Sequence, residues 1–303
     1  MMKATVKAPG TCGELVQGTI DNINFHVTCP INKYSYVTVE LASHMQETIC
    51  KQELPKTVQA VNKTLDYFGI DNLKAIINVR SELITGKGMA SSTADITAAI
   101  LATVVALGEE ISSEELTKLA LSVEPTDGVF YDGIVLFDHV SGKLYRYLGQ
   151  ISGLSILMVD LGGKIDTLQF NSRNDLKELN KDNEPLTKQA LKLIEEGINK
   201  QNLDLVGKGV TLSSKANQNI LPKKNFNKFL SLTNLEGVLG LNVAHSGTLL
   251  GILYDAKQIR VNKIEDKVKK RIGHFNMEQL KLINGGLTII DDSSDWERKY
   301  KYG

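Results

Sequence analysis

The chain has no Cys-x-x-Cys pair, no histidines at metal-ligand spacing, no Gly-x-Ser-x-Gly elbow and no excess of either charge. Each absence removes a class of function. Cysteines number three, Cys12, Cys29 and Cys50. So sparse and odd a set builds neither a disulfide framework nor a zinc site, and it fits a reducing compartment. His26, His44, His139 and His274 are scattered along the chain and read as ordinary loop or core residues. His245-Ser246 invites a hydrolase reading, but without the nucleophile elbow that reading fails. Lys plus Arg equal Asp plus Glu at 35 each, so no global field draws the chain to nucleic acid or to an anionic membrane. The longest apolar run, Ile96 to Leu107, is too short to span a bilayer and reads as a buried helix. The opening MMKATVKAPG lacks the apolar core of a signal peptide. A cytoplasmic protein, with no membrane or nucleic-acid partner, is expected.

What is present is enough for a sizeable core. The 303 residues could make two ordinary domains or one large one. Tyr36–Leu41 and Ala75–Val79 read as strands, with a helix over Pro55–Phe68 between them. A second helix, from about Ser92 to Leu107, buries Ile96, Ile100, Val104 and Leu107. Ser112-Ser113-Glu114-Glu115 is a capping box that opens a third helix, which ends near Pro125. Gly133–Asp138 reads as a strand, and the polar stretch Ser141–Gln150 as a boundary. Beyond it, strands are expected at Leu154–Asp160, Val238–Val243, Thr248–Tyr254 and Leu287–Ile290. Helices are expected at Pro185–Asn199, Leu203–Gln218, Phe226–Leu232 and Val261–Ile272. The expectation is an α+β fold, with domains at 1–150 and 151–291 and a polar tail at 292–303.

The stretch Gly86-Lys87-Gly88-Met89-Ala90-Ser91-Ser92-Thr93 leads into the second helix. It matches neither G-x-x-x-x-G-K-[ST] nor G-x-G-x-x-G. Its chemistry still suits an anion. Glycines let successive N–H groups converge, the helix N-terminus adds positive partial charge, and Lys87 can meet a phosphate oxygen. Ser91 and Ser92 offer hydroxyls to a phosphate or to the shell of a magnesium ion. The plainer reading is a glycine-rich turn capped by serine. Glu124 weighs against it: a carboxylate at the end of a helix opposes the macrodipole at a cost of about 0.3–1 kcal/mol. With Asp127 and Asp132 it puts three acids in one short segment, repulsive unless a metal or a proton is shared. A solvated acidic turn is the alternative.

Gly86–Ala94 resembles the central motif P-x-G-x-G-L-[GA]-S-S-A of the GHMP small-molecule kinase superfamily. Lys7-Ala8-Pro9-Gly10 resembles its first motif, and Val243–Thr248 stands where its third should be. Ile84 replaces the usual proline before the loop, and His245-Ser246 replaces part of a glycine-rich third motif. Within the superfamily the segments PGTCGELVQG, VTCPINKYSYVTVE, GKGMASSTADI, SVEPTDG, LFDH and GLNVAHSG are most similar to the branch that phosphorylates free L-threonine for cobalamin synthesis.

The resemblance implies a two-domain fold, with an N-terminal domain like ribosomal protein S5 domain 2 and a ferredoxin-like C-terminal domain. It implies ATP and Mg²⁺, with Gly86–Thr93 around the phosphates and Ser92 and Glu124 on the metal. Asp127 would face the acceptor hydroxyl as base, with Asp132 second in line; some members use an aspartate there and homoserine kinases lack one. Glu14 would meet the substrate ammonium or else cap the Gly13–Gly18 turn. Lys7 would touch the transition state or face solvent. Cys12 falls in the substrate-side motif, although it reads better as packing than as a nucleophile. His245 and Ser246 would form a tight turn near substrate or phosphate. The substrates expected are ATP and L-threonine, with homoserine as the first alternative. A homodimer is admitted but not required. A catalytically silent nucleotide-binding regulator would have lost Ser92, Glu124 or the acidic segment, and all are present.

Overall fold

The computed structural model describes residues 2–163 and 173–290; the expected tail at 292–303 lies outside them. Among the described residues three sheets form, and the fold is α+β. The first sheet is built on β1 (Lys3–Thr11), whose Ala4, Val6 and Ala8 point into the core. It pairs antiparallel with β4 (Pro30–Ala42), Val6 lying opposite Val37. β6 (Lys74–Ser81) and the short β5 (Ile49–Cys50) extend the sheet on one side. On the other, the chain's last described strand, β13 (Thr288–Ile290), returns to pair with β1.

Helix α1 (Pro55–Tyr67) and helix α2 (Ser91–Leu107) cover this sheet, α2 lying directly on β1 and β4. Of the expected stripe, Ile96, Ile100 and Val104 are buried and Leu107, at the end of the helix, is half-buried; Ala94, Ala98, Ala99 and Ala102 are buried around them. An alanine-rich helix buried nearly all round can approach the sheet closely, which fixes where its N-terminus points. Helix α3 (Ser113–Leu121) opens on the capping box, with Ser112 and Glu115 exchanging side-chain and backbone hydrogen bonds. It ends before Glu124, whose N–H nevertheless reaches the Ala120 carbonyl at 3.1 Å. Glu124 therefore hangs just past the helix rather than in its last turn, because Pro125 disfavours helical backbone at the residue before it.

The second sheet has the order β2 (Val16–Ile20), β3 (Ile23–Val27), β7 (Ile134–Phe137), β8 (Leu144–Gly149). β2 and β3 form a hairpin whose turn residues, Asp21 and Asn22, both have positive φ (50° and 63°). Two such residues suit the tight turn that matches strand twist. The third sheet has the order β10 (Val238–Val243), β11 (Leu249–Asp255), β9 (Leu154–Asp160), β12 (Asn276–Lys281). Helices α4 (Leu176–Asn199) and α5 (Leu203–Asn217) pack on each other, on β2 and on β10, joining the second sheet to the third. The short α6 (Phe226–Leu230) and α7 (Val261–Arg271) complete the described helices.

Pro185 was expected to start a helix, yet it lies inside α4. The turn before it is held by tertiary contacts: Asn183 Nδ2 donates to the Ala216 carbonyl (2.8 Å) and its Oδ1 accepts from Asn219 (3.0 Å). These offset the hydrogen bond that proline removes from the helix ladder. No helix among the described residues is long and apolar enough to cross a membrane.

Candidate active site

Three segments far apart in sequence are laced together by backbone. The Thr11 N–H donates to the Met89 carbonyl (3.0 Å) and the Glu14 N–H to the Val243 carbonyl (3.3 Å). The Thr248 N–H donates to the Lys87 carbonyl (3.1 Å). Contact this close needs glycine. A Cβ on Gly247 would lie 2.1 Å from the Lys87 carbonyl oxygen. One on Gly88, itself at φ 90°, would lie 2.7 Å from the Ala244 side chain. All three motifs read from the sequence thus meet at one place.

The glycine loop has the shape of an anion seat. Gly86 (φ 74°), Gly88 (φ 90°) and Ala90 (φ 52°) are all left-handed, and α2 begins immediately after them with no acid in its first turn. Backbone N–H groups and the helix dipole favour a negative group there. Met89 is buried and anchors the loop from below. Lys87 turns aside: its Nζ lies 3.0 Å from Asp160 Oδ2 and 2.7 Å from the Gly163 carbonyl, tying the loop to the end of β9. Asp160 also accepts from the Gly162 N–H (2.9 Å) and Thr248 Oγ1 (3.2 Å). Burial would raise this carboxyl, but the Gly162 N–H and Lys87 outweigh it and hold it below its ordinary value.

At the start of α2, Ser92 Oγ donates to Glu124 Oε1, and Lys56 Nζ donates to Glu124 Oε2. Hydroxyl and carboxylate oxygens are the hard donors that Mg²⁺ takes. The Lys56 ammonium shows that Glu124 already draws a cation, so the residues fit the metal. Asp95 lies one turn on, at i+3 from Ser92, and accepts from Ser35 Oγ. Burial pushes its carboxyl up to about 6, against the Ser35 hydrogen bond and helped by Glu124. Thr93 serves the next segment: its Oγ1 accepts from the Asp127 N–H (3.1 Å) and from Thr126 Oγ1 (3.3 Å), fixing the acidic stretch against α2.

Asp127 faces Glu14 across this junction. Burial raises Asp127 to about 6, opposed by the Val129 and Gly128 N–H groups. Glu14, 6% exposed, is raised well above its ordinary value by burial and then by Asp127. Glu14 Oε2 and Asp127 Oδ1 are buried without a hydrogen-bond partner among the described residues. Cys12 lies beneath them, fully buried, its thiol pushed up to about 12 by burial and then by Glu14. It stays protonated as a packing group.

His245 sits beside this pair, with Ser246 half-buried next to it. His26 and His139 join His245, and Lys223, 7% exposed, donates to the Gly247 carbonyl (2.7 Å). Lys7 and Asp132 are placed differently. The Lys7 ammonium lies over the Tyr34 ring, 4.6 Å from its centroid. Asp132 bridges to Gly285 and sets its carboxylate against Gly286.

Residues that the sequence did not single out are Lys56, Asp95, Asp160, Lys223 and Gln17, together with the histidine grouping. Asp95 carried a signal, since i and i+3 share a helix face. The others are brought in by the start of α1, by strands and by loops distant in sequence.

The family described as GHMP kinases N terminal domain matches residues 55–132, which span α1, the loop, α2, α3 and the acidic segment. An L-threonine kinase of Salmonella typhimurium is 32% identical over 292 residues, covering 94% of this chain and 95% of that protein. The homoserine kinase structure from Cytophaga hutchinsonii superposes with a TM-score of 0.73 at 16% identity, over 96% of this chain and 98% of that one. MDDEF, solved in complex with MVAPP, AMPPCP and magnesium, superposes with a TM-score of 0.68 at 14% identity, over 95% and 99%. The chain belongs to the GHMP kinases.

Proposed function

We propose that the chain transfers the γ-phosphate of ATP to the side-chain hydroxyl of free L-threonine, giving O-phospho-L-threonine and ADP for the aminopropanol linker of cobalamin. The observation that carries the substrate reading is the buried pair Glu14–Asp127, two carboxylates brought together from the segment after β1 and from the acidic segment. A free amino acid brings an ammonium for one and a hydroxyl proton for the other. The similarity to an L-threonine kinase over nearly the whole chain supports the same substrate.

In this reading segment 1–150 supplies the nucleotide and metal sites, and segment 151–291 closes them with Asp160 and the turn 244–248. Backbone N–H groups of Gly86–Ser92 hold the polyphosphate, and Ser92 and Glu124 hold Mg²⁺. Bound there, Mg²⁺ neutralises charge that develops on the transferring phosphoryl group. MDDEF, with its bound AMPPCP and magnesium, is a precedent within the same fold. Glu14 fixes the ammonium and so the hydroxyl. Asp127 takes the hydroxyl proton as the threonine oxygen bonds to the γ-phosphorus and the bond to the β-phosphate oxygen breaks. Most of the rate comes from positioning.

Glu14→Gln keeps the shape and removes the charge that meets the ammonium. A charged hydrogen bond is worth about 1.5–3 kcal/mol, so KM for L-threonine is expected to rise by about 10- to 100-fold while KM for ATP stays put. Steady-state kinetics with each substrate varied checks this, and an unchanged threonine KM removes Glu14 from the contact.

A further inference from the structure

Glu14 follows β1, His26 sits in β3 and Asp127 lies in the acidic segment, yet their polar ends converge. One carboxylate oxygen of Glu14, one of Asp127 and a ring nitrogen of His26 lie within 4.8 Å of one another. Each residue carries a buried atom with no hydrogen-bond partner among the described residues: Glu14 Oε2, Asp127 Oδ1 and His26 Nε2. Glu14 and His26 are each only 6% exposed. Buried polar atoms nearly always find a partner, so three orphans in one place point to a ligand that completes them.

The fold holds the His26 ring in place. Gln17 lies opposite it across β2 and β3, and Phe137 across β3 and β7. His139 stacks on its face, with ring centroids 4.0 Å apart and planes 8° apart. The stack fixes the plane of the ring and leaves its edge to meet the two carboxylates. Burial first, then His139 and His245, hold His26 well below its ordinary value, so the imidazole stays neutral and keeps one lone-pair nitrogen. With Nε2 unpartnered, that nitrogen can carry the lone pair while Nδ1 carries the proton.

The chemistry of the trio selects the ligand. Two carboxylates turn away an anion. Mg²⁺ prefers oxygen donors, and an imidazole nitrogen suits it poorly. A water molecule offers two N–H-like donors at most, whereas a primary ammonium offers three. An ammonium nitrogen with acceptors at about 2.8 Å along its three N–H directions sets them roughly 4.6 Å apart, by tetrahedral geometry. The reach of the trio agrees with that span.

We propose that His26 is a substrate-binding residue, its Nε2 the third acceptor, with Glu14 and Asp127, for a primary ammonium group. The inference rests on the kinase reading, in which a free amino acid brings that ammonium, and it narrows the substrate class. In that reading Asp127 also faces the acceptor hydroxyl, and one carboxylate oxygen serves an ammonium and a hydroxyl together when they sit on neighbouring carbons. The class is a 1,2-amino alcohol with an unsubstituted amine. L-Threonine is one; L-homoserine, a 1,3-amino alcohol, is not. The ammonium also relieves two adjacent buried acids of their repulsion.

The test is equilibrium binding of L-threonine to the full chain, by calorimetry with AMPPCP and Mg²⁺ present so that no phosphate moves. His26→Leu keeps a buried side chain and removes the nitrogen. It is expected to raise the Kd for L-threonine about 10- to 100-fold and leave that for AMPPCP unchanged. His26→Gln, whose amide oxygen can stand in for Nε2, should recover most of the loss, which a packing role would not produce. On the unaltered chain, N,N-dimethyl-L-threonine keeps a single N–H and is expected to bind weaker by about 10-fold or more. That arm decides where His26→Leu does not fold. An unaltered chain that does not bind L-threonine, a His26→Leu variant that binds it undiminished, no recovery in His26→Gln, or equal binding of the dimethyl compound overturns the proposal. Turnover is read separately. A chain that binds L-threonine through His26 yet releases no ADP with it loses the kinase reading alone, and one that phosphorylates L-threonine while His26→Leu binds it undiminished loses only the role of His26.

Discussion

Asp127→Asn is expected to lower kcat for L-threonine by about 10²- to 10⁴-fold, the usual contribution of a positioned general base. The amide matches the carboxylate in shape, and the backbone N–H of residue 127 still reaches Thr93 Oγ1, so the segment keeps its place. What is lost is the oxygen that accepts the hydroxyl proton in the proposed mechanism. The pH profile carries the sign. Asp127 titrates at about 6, and only its carboxylate can act as base. Wild-type kcat/KM therefore rises with pH up to about 6 and then levels off. Asp95 shares the same value, so the inflection must vanish in Asp127→Asn and survive in Asp95→Asn for the assignment to hold. An Asp127→Asn enzyme that keeps nearly full turnover, with unchanged substrate binding, would show that positioning alone suffices.

Glu124→Gln is the second large effect. Ser92 and Glu124 meet at the head of α2, and Lys56 already pairs with the acid. Removing the charge leaves an amide that binds Mg²⁺ poorly, at the hydroxyl–carboxylate pair to which the proposal assigns the ion. A loss of about 3–4 kcal/mol in transition-state stabilisation, on the order of 10²- to 10³-fold in kcat, is expected. It should come with a raised Mg²⁺ requirement, because the missing ligand weakens the ion rather than the nucleotide pocket. Titrating Mg²⁺ at saturating ATP separates the two. Unchanged Mg²⁺ dependence would place the metal elsewhere.

Much of the fold was legible because local patterns agreed with tertiary packing. The α2 stripe, the capping box at Ser112 and the run Leu154–Asp160 each carry a strong local signal, and each forms where the pattern puts it. The β2–β3 hairpin was missed, although Asp21-Asn22 between short apolar runs is a turn signature. β12, Asn-Met-Glu-Gln-Leu-Lys, has little apolar content and owes its place to pairing with β9. Pro185 misled because proline usually opens helices, and contacts through Asn183 override that preference here.

The site divides the same way. Gly86, Gly88, Ser92 and Glu124 are marked by residue type and interval. Nothing in the sequence announces that Lys87 ties the loop to Asp160, or that Thr93 holds Asp127 by its backbone. The histidine cluster is the extreme case: its members sit on β3, after β7 and after β10, and only sheet register and one turn assemble them.

The central claim is the substrate, and one steady-state comparison tests it. ADP release is measured with ATP and Mg²⁺, offering L-threonine and L-homoserine in parallel. Homoserine carries its hydroxyl as a primary alcohol one carbon further from the backbone, so a site in which Glu14 fixes the ammonium places that oxygen differently against Asp127. The expected result is Mg²⁺-dependent ADP release with L-threonine, O-phospho-L-threonine as product, and a higher kcat/KM than for L-homoserine. No ADP release with L-threonine, or more efficient turnover of L-homoserine, would contradict the account.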